Sequence, residues 1–334
     1  MRALPSFLLT VLALAACGGP PPPEPAIPTG PGALHTLVPP GSALVVRLRP
    51  EVLYGQPGPS TILRAVFADA SLERFAIRTG VDLRQVQELW VALRPEGHVV
   101  LARGLRDAPL AVQEAGARMA PIEAEADAPW IRRVGFLGGR RVDLAALGPH
   151  TALWVEGTPQ LAAWVLDAAG QPAGQRRHGL RGAADLLAVH AEAPLFAVAP
   201  LPLGLPPRSG IGQLFALEER MAVTLEGRPQ AQVELAADFR GEFPDGASDN
   251  FQALASSIAD SELGGALGAR DALPSLVVET SRERVTLRAR VDASVLATGL
   301  RTLFFAEMDE LLDVDGAPPA RGEDLLAPRR SDGP

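Results

Sequence analysis

The sequence predicts an α+β fold built as two tandem units, each an antiparallel sheet with helices on one face. Three observations predict it. β-Branched runs with period-two alternation come in pairs around turn residues, as antiparallel hairpins require. Longer segments with apolar residues at helical spacing separate those pairs. The order strand, helix, strand, strand, helix, strands, helix is written twice, a repeat that suggests duplication, within a stretch of about 280 residues that one large or two ordinary cores can fill. The expected units are residues 34–170 and 183–313, joined by a linker at 171–182.

In the first unit, residues 43–48 read as a strand. Residues 60–79 read as one helix, with Ser60 as N-cap, Leu63, Val66, Phe67, Ala70 and Phe75 on a broad apolar face, and Gly80 at the stop. Residues 88–93 and 98–102 form a hairpin around Arg94-Pro95-Glu96-Gly97, and Asp107 opens a helix that ends near Met119. Strands over 131–136, 140–144 and 152–156 and a helix over 159–168 complete the unit. The stretch from Gly170 to Gly182 contains Arg176-Arg177-His178, is polar and glycine-rich, and is expected to be an exposed boundary.

The second unit begins with a strand over 195–199 and a helical segment over 211–219. Two long strands, 221–225 and 230–239, flank Glu226-Gly227-Arg228-Pro229. In the second of them Val233, Leu235, Ala237 and Phe239 alternate with Gln232, Glu234 and Asp238, the pattern of a half-buried strand. A helix over 249–259, a hairpin from 276–279 to 284–291, and a helix over 292–312 follow. Asp292 caps that last helix, and Val295, Leu296, Leu300, Leu303, Phe304 and Leu311 form its apolar side.

The ends differ from this body. From Gly18 to Gly32 there are seven prolines, at 20–23, 25, 28 and 31, a composition that builds no core and favours extended polyproline II. Residues 314–334 are rich in Pro, Arg, Asp and Gly and are expected to be disordered. At the start, Arg2 precedes an apolar stretch over 7–14 that is too short to span a hydrocarbon core of roughly 30 Å. It is followed by Leu14-Ala15-Ala16-Cys17-Gly18-Gly19, which holds the only cysteine of the chain.

That run resembles the lipobox of bacterial lipoproteins. The resemblance covers about the first twenty residues. It implies that 1–16 is a signal peptide, that Cys17 is acylated and becomes the mature N-terminus, and that the chain reaches its membrane through acyl chains and not through a protein span. Residues 17–33 would then be a spacer, which at about 3.1 Å per residue can hold the body roughly 45 Å from the membrane surface. Gly18 stands where an aspartate resembles an inner-membrane retention signal, so the outer membrane is favoured over the inner. The body itself is similar to uncharacterised envelope lipoproteins in element order alone, which transfers no functional residue.

Composition narrows the chemistry further. The formal net charge is −8, and loss of Arg2 with the signal peptide makes the mature chain more acidic, which disfavours nucleic acid as a partner. There is no lysine, so Walker-A, Schiff-base and Ser-Lys chemistry are absent. With Cys17 acylated no thiol remains for disulfides or metal. His35, His98, His150, His178 and His190 show no zinc spacing and fall mostly in expected loops, where a solvated ring is the expectation. No Gly-x-Ser-x-Gly or Gly-x-Gly-x-x-Gly turn occurs, and no cofactor is implied. Glu123, Glu125 and Asp127 alternate and read as a solvated segment, with calcium as the sharper alternative; Asp313-Val314-Asp315-Gly316 lacks the pattern of an EF-hand. Trp90, Trp154 and Trp164 lie in apolar periodic runs and are expected in the core, and Trp130 beside Pro129 is expected to be exposed.

The residues with the clearest purpose lie on the strand from 282 to 290. Val285, Leu287, Ala289 and Val291 face inward, and Arg282, Arg284, Thr286, Arg288 and Arg290 line the other face. Such guanidinium groups can hold phosphate or carboxylate groups of envelope polymers or lipids. Alternatively Glu234, Asp238 or Glu279 on neighbouring strands neutralises them in a cross-strand ladder. The leading expectation is a non-catalytic, lipid-anchored envelope protein that binds or scaffolds another envelope component. An envelope-polymer hydrolase with a cross-fold carboxylate pair, and a lipid or lipoprotein carrier with an apolar cavity, remain open at this point.

Overall fold

The computed structural model describes residues 33–122, 130–137, 139–199 and 218–312. Cys17, the spacer, most of the expected helical segment at 211–219, the Glu123/Glu125/Asp127 alternation and the C-terminal tail lie outside these residues. The strands of the first half are β1 (Leu44–Leu48), β2 (Glu88–Arg94), β3 (Gly97–Arg103), β4 (Ala120–Pro121), β5 (Ile131–Leu137), β6 (Arg140–Ala146) and β7 (Thr151–Gly157). Those of the second half are β8 (Leu195–Ala199), β9 (Glu218–Arg228), β10 (Gln232–Gly241), β11 (Val277–Thr280) and β12 (Arg284–Asp292). The helices are α1 (Pro50–Gly55), α2 (Pro57–Val66), α3 (Asp69–Thr79), α4 (Ala108–Gly116), α5 (Pro159–Gly170), α6 (Ala184–Val189), α7 (Ala247–Asp260), α8 (Glu262–Ala266), α9 (Ala269–Ala272) and α10 (Ala293–Leu312).

The α+β class and the antiparallel pairing are as the sequence predicts. The two expected sheets, however, are one. Among the described residues twelve strands run in the order β11-β12-β10-β9-β8-β1-β2-β3-β7-β6-β5-β4, joined at the middle by the β1–β8 pair, in which Val45 faces Val198 and Arg47 faces Phe196. Outward from this seam the halves follow matching orders, β1-β2-β3-β7-β6 and β8-β9-β10-β12-β11. The seam removes two edges at once, since a five-residue strand left open would expose its backbone donors and acceptors.

Side-chain alternation then divides the sheet into two faces. On the first face, Val45, Trp90, Ala92, Val99, Leu101, Leu153, Val155, Phe196 and Val198 pack under α5, the 3₁₀ turn Ala33–Leu37 and Leu186 of α6. On the second face, Val142, Leu144 and Ala146 pack under Ala108 and Val112 of α4. Helices of the first half therefore occupy both faces, not one, because α4 follows β3 to one side and α5 follows β7 to the other. In the second half, the second face carries Leu225, Val233 and Val291 under Leu53, Ile62, Leu296 and Ala297, and Phe239 and Val285 under Phe251 and Leu254. Leu53 and Ile62 come from α1 and α2, so helices that follow β1 cover strands of the other half.

Several local expectations change. The helix expected over 60–79 is split into α2 and α3 by Phe67, whose backbone is extended. Ser60 lies inside α2 and donates its hydroxyl to the Pro57 carbonyl, while Pro57 and Pro59 occupy the first turn, where a missing N–H costs nothing. The caps of α4 and α10 are as expected: the Asp107 carboxylate accepts from Leu110 N at 2.9 Å and that of Asp292 from Ser294 N at 2.8 Å. Glu218 and Glu219 belong to β9, not to a helix.

The segment 171–182 is exposed at Gln171, Pro172, Gly174, Gln175, Arg177 and Gly182, as expected, but it is fastened to the body at the residues between them. Leu180 is fully buried, Gly179 N donates to Val38 O, and Arg176 is only 3% exposed. Its guanidinium donates to Thr36 Oγ1 at 2.8 Å and to the Gln171 carbonyl at 2.9 Å, satisfying the end of α5. Trp130 also packs against the core of the first half, as do Trp90 and Trp164.

Candidate functional site

The first face of the sheet changes character beyond β8. Register carries it from Val198 to Ala222, then to Asp238 and Thr286, so the apolar surface under α5 continues into a charged one over β9, β10 and β12. There a groove of about 820 Å³ is lined by Arg228, Arg284, Arg288 and Arg290, by Glu226, Glu234 and Glu279, and by His190 at the end of α6.

Each charge has a geometry that decides what it can do. Asp238 is 1% exposed and accepts from Arg284 Nε at 3.0 Å and Arg284 Nη2 at 2.5 Å, with His190 Nε2 at 3.3 Å and Arg240 Nε at 3.4 Å. Burial pushes its carboxyl up, but the bonds from His190 and Arg284 and the charges of Arg284 and Arg240 outweigh burial and hold it below the usual carboxylate range. Arg284 is thus committed to a buried partner. Arg228 binds Glu234 through two bonds, at 2.7 and 3.2 Å, and this pairing holds Glu234 below the usual range despite its burial. Arg288 reaches Glu279 at 3.4 Å and Arg290 reaches Glu234 at 3.6 Å, both near the surface. Exposed pairs of that length are worth about 1 kcal/mol or less, so these two guanidinium groups keep donors for an incoming anion.

Of the arginines expected on this face, the structure gathers Arg284, Arg288 and Arg290 in the groove and leaves Arg282 out. β12 starts at Arg284, and Arg282 sits in the preceding turn, where its carbonyl accepts from Phe243 N at 2.8 Å. The cross-strand ladder with Glu234, Asp238 and Glu279 is also present, so the face is both neutralised and, at Arg288 and Arg290, open. Those two side chains project from one strand two residues apart, roughly 7 Å along it. Arg228 and His190 join the site from β9 and α6. Arg228 is signalled by its place at the end of β9, two residues beyond Glu226, which faces Glu234, whereas nothing local to His190 points to the groove.

Two of the groove's acid–base groups are held in fixed pairs. Glu234 is held ionised by its arginine partners and cannot donate a proton near neutral pH. His190 and Asp238 form a pair, but among the described residues no hydroxyl or thiol hydrogen-bonds the ring, which packs against Phe196. Between its charges the groove is walled by Val189, Ala236, Pro274, Val277 and Ala289. Among the described residues no three His, Cys, Asp or Glu side chains meet as a metal site, and no helix is long and apolar enough to cross a membrane.

His150 is exposed, as expected, whereas His35, His98, His178 and His190 are partly enclosed. His35 lies edge-on to His178 at 5.2 Å and tilted to Trp90 at 6.3 Å, in a second cavity on the far side of α6 from the groove. Burial, with the charges of His178 and Arg47, pushes the His35 ring down to about 4.

No family model matches the sequence, and no curated protein matches it. Two solved structures resemble the fold, crystal forms III and IV of TP0453, with TM-scores of 0.49 and 0.48 and identities of 8% and 9%. The alignments cover 82% and 79% of this chain and 98% and 94% of those chains. Likeness at this level transfers no residue of a site.

Proposed function

We propose that this chain is a lipid-anchored protein of the bacterial cell envelope, anchored by acyl chains on Cys17, whose body binds another envelope component without catalysis. The run Leu14-Ala15-Ala16-Cys17 carries the anchor. The proline-rich segment behind it supports a body standing off the membrane, and Gly18 favours the outer membrane. The groove supplies the binding surface. Its contact groups are Arg288 and Arg290, placed to hold phosphate or carboxylate groups of the partner, while Arg284 is fixed on Asp238 and orients the strand beneath them.

Two experiments test the two halves of this reading. Metabolic labelling with a fatty-acid analogue should mark the wild type and be lost in Cys17→Ala; label retained in that variant removes the anchor. In-cell crosslinking should recover a partner with the wild type and lose it with the double variant Arg288→Glu/Arg290→Glu at unchanged protein level. Recovery of the same partner by that variant removes the groove as the contact.

A further inference from the structure

The second cavity, about 610 Å³, opens on the far side of α6 and is lined by His35, Arg47, Arg49, Glu51, Glu88 and Arg103 among others. At its centre Arg47 presents an electrostatic imbalance. It projects from β1 and is only 3% exposed, with Trp90 at 5.8 Å and Phe196 at 5.6 Å from its guanidinium carbon. Nη2 donates to the carbonyls of His190 and Ala193, each at 2.8 Å. Its Nε, however, is buried with no hydrogen-bond partner, and no carboxylate reaches it at ion-pair distance among the described residues. A buried cation ordinarily has an anionic partner, because desolvation without one is costly.

The neighbouring carboxylates are already committed. Glu88 accepts from Trp90 Nε1 at 2.9 Å and is ion-paired with Arg103, and Glu192 pairs with Arg49 at 3.3 Å. Glu51 is exposed at the mouth. Beside Arg47, the Nδ1 of His35 is likewise buried without a hydrogen-bond partner. Two residues that line one cavity thus each carry an unmatched buried polar atom just behind its wall, and the cavity's volume is within the range that holds small molecules.

We propose that this cavity binds a small organic anion, whose carboxylate or phosphate group is held by Arg47 and His35, with Arg49 and Arg103 at its rim. The site is separate from the groove and does not depend on the function assigned to it. The shared chemistry is a compact oxyanion on an organic body.

The test is calorimetric titration of the full-length protein in detergent with inorganic phosphate, glycerol 3-phosphate and hexanoate, with glycerol and hexanol as uncharged controls. At least one anion should bind and neither control should. Arg47→Gln should weaken that binding by about tenfold or more. Ala188→Trp, which fills the cavity from an exposed position on α6 and leaves Arg47 in place, should abolish it at an unchanged melting temperature. Because Arg47 also fastens the end of α6, its variant can fail to fold, and Ala188→Trp then decides. Phosphate or glycerol 3-phosphate bound in preference to hexanoate assigns a phosphate ligand, and the reverse assigns a carboxylate. Failure of all three anions to bind, binding that survives Ala188→Trp, or binding lost instead in Arg288→Glu/Arg290→Glu overturns the proposal.

Discussion

Asp238 shows how one side chain organises the groove. It draws Arg284 from β12, His190 from α6 and Arg240 from its own strand onto a single buried carboxylate. Replacing it as Asp238→Asn leaves those cations without their counter-charge and should lower the unfolding free energy by on the order of 3 kcal/mol, read from denaturant melts. A carboxyl held below its unfolded value contributes stability that is complete above about pH 4 and is lost as pH falls through the lowered value. His35 acts over a different window. Its folded ring titrates at about 4 against an ordinary value of 6.5, so the unfolded chain takes up a proton first. Stability should therefore fall by about 2 kcal/mol as pH drops from 6.5 to 4, solvent at the open side of the ring screening part of the full effect, and then level off for this group. In His35→Gln the slope between those values should flatten while the limb due to Asp238 remains; an unchanged slope refutes the assignment.

At the scale of elements, the contact between α2 and strands of the other half matters most. Ile62 of α2 packs with Val233, Val291 and Leu296, so Ile62→Ala should cost about 2–4 kcal/mol, although position 62 lies far in sequence from all three. Chemical denaturation of this variant, followed by tryptophan fluorescence, measures that loss. Most strands are legible in the sequence because their period-two alternation and turn residues are local, as in β2, β3, β7 and β12. The caps at Asp107 and Asp292 are legible for the same reason. The division of residues 60–79 is not, since apolar spacing continues through Phe67 and only packing decides where the axis turns. The burial of Arg176 is equally hidden, because a polar, glycine-rich composition does not show that carbonyls at the end of α5 need a donor. In the candidate site the alternation of arginines is visible, but the priority of Asp238 over the other carboxylates depends on burial, which register and not composition sets.

For the whole molecule, the central seam makes the two halves one structural unit. The β1–β8 pair and the cover that α1 and α2 give to β9, β10 and β12 cross the boundary in both sheet and helix layers. Unfolding should accordingly appear as one transition, with far-ultraviolet dichroism and tryptophan fluorescence coinciding, and residues 34–170 made alone should aggregate or remain unfolded. Two separable transitions, or a soluble cooperative fragment, would show that the halves are independent. The same seam has a cost in time. β1 is made early, but its partner β8 leaves the ribosome about 150 residues later, a wait of roughly 10–30 s at ordinary rates of synthesis. Throughout that interval β1 can pair with β2 on one side only, and its other, Val-rich edge must be kept from pairing with a neighbouring chain. Production of this protein should therefore depend on holding capacity in the cell, read as a fall in soluble yield when that capacity is lowered.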